Sequence, residues 1–171
     1  MSLSDYIYVG ERLGKDQSTI KVPKIRTMYP KADQDYPQII TRYALNELGK
    51  PDKDPRVIPA RRWLRESHLD ELPQLFYNVL FKRNMKLVGI RARTSLRWGL
   101  FPRTHKQRCL KHKPALAGIN YSDINSSIRK VEKRYLARKK LAKNRLQSAL
   151  IDFTYLMKIV YNKTFLGQRS H

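Results

Sequence analysis

Apolar and polar residues alternate along YIYVGERLGKDQSTIKVPKI, with Tyr6, Tyr8, Ile20 and Val22 in step and Gly14-Lys15-Asp16 between the two halves. A period of two, built from aromatic and β-branched side chains around a turn, predicts a β-hairpin. Pro23 confines the second strand to an edge or ends it early, because proline has no N–H to give a neighbouring strand. Between Tyr29 and Pro59 repeated prolines predict loop, with one short helix around residues 39–48.

Helical spacing follows. Residues 60–66 predict a short basic helix. Residues 72–81 are apolar on nearly every side, which predicts a buried helix. Trp63, Phe76 and Tyr77 then belong to the core or to helix packing. Residues 86–90 predict a short strand, and residues 104–111 a helix closed by the loop HKPALAGI. From 126 to 150, Ile128, Val131, Tyr135, Ala142, Leu146 and Ala149 share one helical face, with Arg129, Lys130, Lys133, Arg138, Lys139 and Lys143 mostly opposite. A last apolar helix is expected over 151–161. Together these elements predict one α+β domain over residues 1–171, helix-dominated, with an N-terminal β-hairpin.

Charge narrows the choice of partners. The chain carries 36 Lys and Arg against 14 Asp and Glu, a formal charge of +22. Such a balance suits nucleic acid, an anionic membrane face or a polyanionic substrate. Zinc-knuckle spacing, an aromatic RNA-recognition motif and a glycine-rich RNA clamp are all missing from the sequence. Charge alone supports only salt-sensitive, non-specific nucleic-acid binding. The single Cys109 cannot form an intrachain disulfide, which fits a reducing setting. No run approaches the roughly 18 apolar residues of a spanning helix. The start, MSLSDYIYVG, has no signal-peptide layout, so the expectation is a chain neither exported nor membrane-spanning.

Against this basic background, SHLDELPQL sets two acids side by side, Asp70 and Glu71. Pro73 is tolerated only in a first helical turn, which places a helix start near Asp70. Orphan N–H groups, the positive end of the helix and nearby Arg65 all favour ionised acids there. The simple reading is an acidic N-cap with a solvated neighbour. The chemical reading is a nucleophile at phosphorus or a hard-metal ligand. Lys24, Arg26, Arg65 and Arg91 bear on the choice, because a carboxylate approaching a diphosphate needs Mg²⁺ and basic groups to neutralise the phosphoryl oxygens. His68 reads as solvent-facing, His105 and His112 as surface residues, and Cys109 as unactivated.

The order of these segments resembles a known family. ERLGKDQSTIKVPKIRTM, DPRVIPARRWLRESHLDELPQL, MKLVGIR and KHKPALAGI occur in sequence, followed by EKRYL and DFTYLMKIVYNKTF. They resemble the bacterial sugar transferases, small monotopic phosphoglycosyl transferases that start glycan assembly on polyprenyl phosphate. The resemblance implies that Asp70 attacks a nucleotide-diphosphosugar, typically a UDP-sugar, and releases UMP. The phosphosugar held on Asp70 would then pass to polyprenyl phosphate. It implies Mg²⁺ as cofactor, held by Asp70 and Glu71, with Lys24, Arg26, Arg65, Arg91 and Glu132 as substrate contacts. The sequence departs from the pattern in three places. It begins almost at the hairpin, where relatives carry a hydrophobic re-entrant helix. Ile90-Arg91-Ala92 stands for Pro-Arg-Pro, and Lys82-Arg83-Asn84 for the Gly-Asp before Met85. The expected location is therefore peripheral, on the cytoplasmic face of a membrane, reached through the basic helix over 126–143 or a membrane-anchored partner. A catalytically impaired transferase-like scaffold and a basic nucleic-acid-binding protein are the alternative readings.

Overall fold

The computed structural model describes residues 3–32, 34–43, 51, 54–123 and 125–165. Strands β1 (Ile7–Leu13) and β2 (Thr19–Ile25) form the expected hairpin, in register from Leu13 opposite Thr19 to Ile7 opposite Ile25. Pro23 sits opposite Val9 without ending the strand; in a two-stranded sheet each strand has a free edge, so its missing N–H costs nothing. Helix α1 (Tyr36–Arg42) begins earlier than its spacing predicts, and residues 44–50 lie outside the described part. A 3₁₀ turn at Pro59–Arg61 leads into α2 (Arg62–Glu66).

A second sheet pairs β3 (Lys86–Gly89) with β4 (Ala115–Gly118) in parallel, and the crossover between them holds α4 (Ser95–Gly99) and α5 (Arg103–Leu110). The loop expected at HKPALAGI thus contains a strand, since a parallel partner reaches Ala115 from far along the chain. The Leu13 N–H donates to the Arg93 carbonyl at 2.9 Å and ties the hairpin to the segment after β3.

Helices α6 (Ile128–Leu141) and α7 (Arg145–Phe165) close the fold. They divide at Ala142–Asn144, not at residue 150 as expected. Ala142 is extended, Asn144 Oδ1 accepts from the Gln147 N–H at 2.8 Å, and Gln147 Oε1 accepts from the Lys143 N–H at 2.7 Å. This reciprocal pair is a variant of the capping box and starts a new helix. Lys139 then donates to Asp152 at 2.9 Å, and Tyr135 to the same carboxylate at 2.7 Å, so α7 folds back along α6. The main core gathers Val88, Ile90, Trp98, Ile119, Val131 and Tyr135 with Tyr155 and Ile159 of α7.

The segment 72–81 overturns its expected burial. It runs as α3 (Leu72–Gln74) into π-helical turns over Leu75–Phe81. Its buried residues are the polar Gln74 and Asn78, whereas Phe76 is 62% and Phe81 75% exposed. Asn78 Nδ2 donates to the Lys21 carbonyl of β2 at 2.8 Å, so the inward face is held by hydrogen bonds to the hairpin. Trp63 and Tyr77 are likewise exposed and lie outside the core. Helix α7 repeats the pattern: Leu146, Leu150, Phe153, Met157, Val160 and Phe165 form an exposed apolar stripe at helical spacing.

Candidate active site

A left-handed residue, His68 (φ 60°), ends the chain path from α2 and turns it into a 3₁₀ turn at Leu69–Glu71. Pro73 falls in the first turn of α3. Asp70 and Glu71 therefore sit at a helix entrance, both buried, Asp70 4% exposed. β2 passes in front of them and delivers Lys24. The segment after β3 delivers Arg91, and Gly118 of β4 lets it lie close: a Cβ on Gly118 would stand 3.1 Å from the Cβ of Arg91.

Glu71 is held from both sides. Its Oε1 accepts from Lys24 Nζ at 2.7 Å and also from Arg91 Nη2. Burial by itself would raise its pKa, but Arg91 and Lys24 outweigh burial and keep the carboxyl well below the ordinary glutamate range. Asp70 differs. Its carboxylate makes no hydrogen bond or ion pair to a described residue, and burial, with Glu71 beside it, raises its pKa against the pull of Lys24, Arg65 and Arg91. Sequence reasoning expects ionisation to be favoured at both acids; the fold does this for Glu71 and works against it at Asp70, because only Glu71 has its charge met by contact.

Asp70 faces a cavity of about 770 Å³ that is also lined by Lys24, Arg26, Arg65 and Arg91. Arg26 Nε donates to the Ser4 carbonyl at 2.7 Å, its guanidinium 5.7 Å over the Tyr8 ring. Arg65 approaches Thr27 Oγ1 at 3.4 Å, while its Nε is buried without a hydrogen-bond partner among the described residues. Four cations from separate parts of the sequence thus line the same cavity as Asp70.

Glu132 does not join them. It is fully buried in α6, where Arg93 Nη2 donates to Oε1 at 2.5 Å and His105 Nε2 to Oε2 at 2.8 Å. Arg93 is itself stacked against Trp98 and Phe101, 4.7 and 4.8 Å from the ring centres. The resemblance implies Glu132 as a substrate contact; the structure places it in the core, outside the cavity lining, where two donors lower its pKa against the cost of burial. His105 is buried with it rather than on the surface. Cys109, 3.5 Å from His105 Nε2, has its thiol pushed up to about 12 by burial and by Glu132.

Two residues near the dyad carry no signal in the local sequence pattern. Tyr121, in the 3₁₀ turn Ile119–Ser122, stands 6.0 Å from the Arg91 guanidinium and meets the edge of His68 at 6.2 Å. His68 is thus half-buried against a ring instead of facing solvent. Lys163, near the end of α7, lies 4.7 Å over the same tyrosine ring. Only the return of α7 across the fold brings it there.

A family model of bacterial sugar transferases matches residues 1–165. The chain belongs to that family. It is 33% identical over 114 residues to the galactosyl transferase CpsE of Streptococcus agalactiae serotype III (strain NEM316), covering 66% of this chain and 25% of that one. It is 35% identical over 85 residues to the "Putative undecaprenyl-phosphate N-acetylgalactosaminyl 1-phosphate transferase" of Bacillus subtilis (strain 168), covering 50% and 41%. Over 90 residues it is 34% identical to the UDP-galactose-lipid carrier transferase of Erwinia amylovora, covering 50% and 18%. The chain therefore spans less than half the length of each of these relatives. Among the described residues of this sugar transferase family member, no helix is long and apolar enough to cross a membrane.

Proposed function

We propose that the protein transfers a phosphosugar from a nucleotide-diphosphosugar to a polyprenyl phosphate, with Asp70 as the nucleophile. One observation carries the reading: Glu71 is spent on Lys24 and Arg91, while its neighbour Asp70, at the wall of a cationic cavity, keeps its oxygens unbonded to any described residue. The names of the relatives, which include a UDP-galactose-lipid carrier transferase and an undecaprenyl-phosphate sugar 1-phosphate transferase, support the same reaction class.

In the first step a carboxylate oxygen of Asp70 forms a bond to the sugar-bearing phosphorus. The anhydride P–O bond breaks, and its electron pair leaves on the nucleoside monophosphate. In the second, an oxygen of the lipid phosphate bonds to the same phosphorus and releases the Asp70 carboxylate. Arg91, Lys24, Arg26 and Arg65 offset the charge gathered on the phosphoryl oxygens. Both Asp70 oxygens and Glu71 Oε2 are left over by the ion pairs, which is a hard oxygen donor set suited to Mg²⁺. Bound there, Mg²⁺ would supply further neutralisation of the diphosphate. Mass spectrometry of the intact protein after incubation with Mg²⁺ and a panel of UDP-sugars tests the reading. A mass gain of one phosphosugar with release of UMP is expected; neither gain nor UMP, in folded protein that still binds UDP-sugar, would favour a transferase-like scaffold instead.

The same proposal places the protein on a membrane surface, at its cytoplasmic face. The exposed basic face of α6 attracts anionic lipid, at about 1 kcal/mol for each Lys or Arg near the surface. The exposed Phe76, Leu80 and Phe81 add an apolar contact that the basic helix lacks. Replacing these three by Ser is expected to lower co-flotation with anionic liposomes several-fold while leaving the unfolding midpoint within a few degrees. A wild-type protein that floats with neither anionic nor neutral liposomes would exclude this location.

A further inference from the structure

The helical path that starts at Asp70 turns a polar row inward. Asp70, Gln74 and Asn78 are buried at a spacing of four residues, while Leu72, Phe76 and Leu80 between them are exposed. Two members of the row have a role already: Asp70 stands at the cavity wall, and Asn78 Nδ2 donates to the Lys21 carbonyl of β2 at 2.8 Å. Gln74 has none. It is 4% exposed, and its Nε2 is buried without a hydrogen-bond partner among the described residues. The residue lines the same cavity as Asp70, in a stretch of wall that includes Val22, Met85 and Ala92. An unpartnered buried N–H destabilises a fold, and a methionine would fill such a place without one. A donor held there calls for an acceptor from outside the described residues.

Position defines that acceptor. Residues four apart along a helical path are neighbours on one face, roughly 5–6 Å between Cβ atoms. The Gln74 amide is thus within reach of a group bonded to an Asp70 carboxylate oxygen. The last side-chain torsion of glutamine is soft, so a small rotation swings the N–H toward the cavity. We infer that Gln74 is a substrate-binding residue that donates its Nε2–H to a non-bridging oxygen of the sugar-bearing phosphorus as Asp70 attacks it. The inference rests on the transferase reading and adds to it a neutral donor at the reacting centre. Both displacements take place at the same phosphorus, so one donor serves both. It holds the oxygen while the Asp70 O–P bond forms and the anhydride P–O bond breaks, and again while the lipid phosphate displaces the carboxylate. No proton is transferred. Lys24, Arg26, Arg65 and Arg91 offset charge, whereas an amide fixes the direction of one oxygen without adding charge that would trap the intermediate.

Rapid-mix mass spectrometry of the intact protein with Mg²⁺ and the UDP-sugar panel, paired with thermal melts, tests the inference. In Gln74→Met the adduct is expected to form about 10²-fold more slowly at saturating UDP-sugar, with the half-saturating concentration within about threefold of wild type, as for loss of one donor to a developing charge. The unfolding midpoint is expected to hold or rise, because the variant removes an unpaired buried donor. Gln74→Glu has the same shape and a negative charge. It is expected to lose at least as much rate, since it sets an acceptor against the phosphoryl oxygen. A fall in rate without a fall in stability is a signature that a merely structural glutamine does not give. A wild-type rate in Gln74→Met would overturn the inference and leave the transferase reading intact. So would a lowered or lost unfolding transition in that variant, or an effect confined to the half-saturating concentration. Absence of any adduct on folded wild-type protein would remove the transferase reading, and the inference with it.

Discussion

Asp70→Asn is expected to abolish the phosphosugar adduct and lower turnover by at least about 10³-fold, with folding intact. Loss of a nucleophile is among the largest single-residue effects an enzyme shows, because the remaining groups act on a step that no longer exists. The expected effect on stability has the opposite sign. Asp70 has its pKa raised on folding by burial, so its contribution is fully present below the ordinary aspartate value and is lost as pH rises through the folded value. At neutral pH a neutral asparagine of nearly the same shape removes that burden, and the unfolding midpoint should hold or rise. Glu71→Gln should do the reverse, since it leaves Lys24 and Arg91 facing each other without the carboxylate between them. Intact mass and thermal melts of the two variants check both halves. A full adduct on Asp70→Asn would end the assignment of Asp70 as the nucleophile.

The second large effect lies in the core. Glu132→Ala is expected to cost about 3–5 kcal/mol, the usual penalty for leaving one member of a buried ion pair alone. Arg93 would then be buried between Trp98 and Phe101 with no carboxylate, and His105 would lose its acceptor. The paired change Arg93→Met with Glu132→Leu should recover most of that loss, because it removes both charges and keeps the volume. Glu132 has its pKa lowered on folding, so its stabilisation is present above the ordinary glutamate value and is lost as pH falls through the folded one. The acid limb of the stability profile should therefore flatten in the double variant. Chemical denaturation between neutral and acid pH measures this directly. If Glu132→Ala kept its stability and lost UDP-sugar binding, Glu132 would count as a substrate contact.

Much of this molecule is legible in local pattern. The hairpin follows from alternation around Gly14, and its register from the single short turn. Pro73 places the helix entrance, and with it Asp70 and Glu71. The Asn144–Gln147 pair is also written plainly in KNRLQ, yet continuous helical spacing across residues 126–150 hides it. A capping signal outweighs periodicity there because it satisfies N–H groups that an unbroken helix would not leave open. His105 and Glu132 read poorly for a different cause: their partners, 27 residues apart, meet only when α5 packs on α6.

The sequence by itself determined the class of the fold, the paired acids at a helix start and the basic company they keep, because each depends on neighbours within a turn or two or on the order of motifs. Only the tertiary structure decided which faces look outward. Residues 72–81 and α7 are apolar on several sides, so periodicity identifies a helix without saying which side meets the protein; hydrogen bonds from Asn78 to β2 and from Asn162 to Tyr121 settle that. It also decided that Glu71, and not Asp70, is neutralised by contact, and that Lys163 returns to the dyad. These are long-range contacts between charges, and their energy depends on distance and burial, which arise only when the segments pack together.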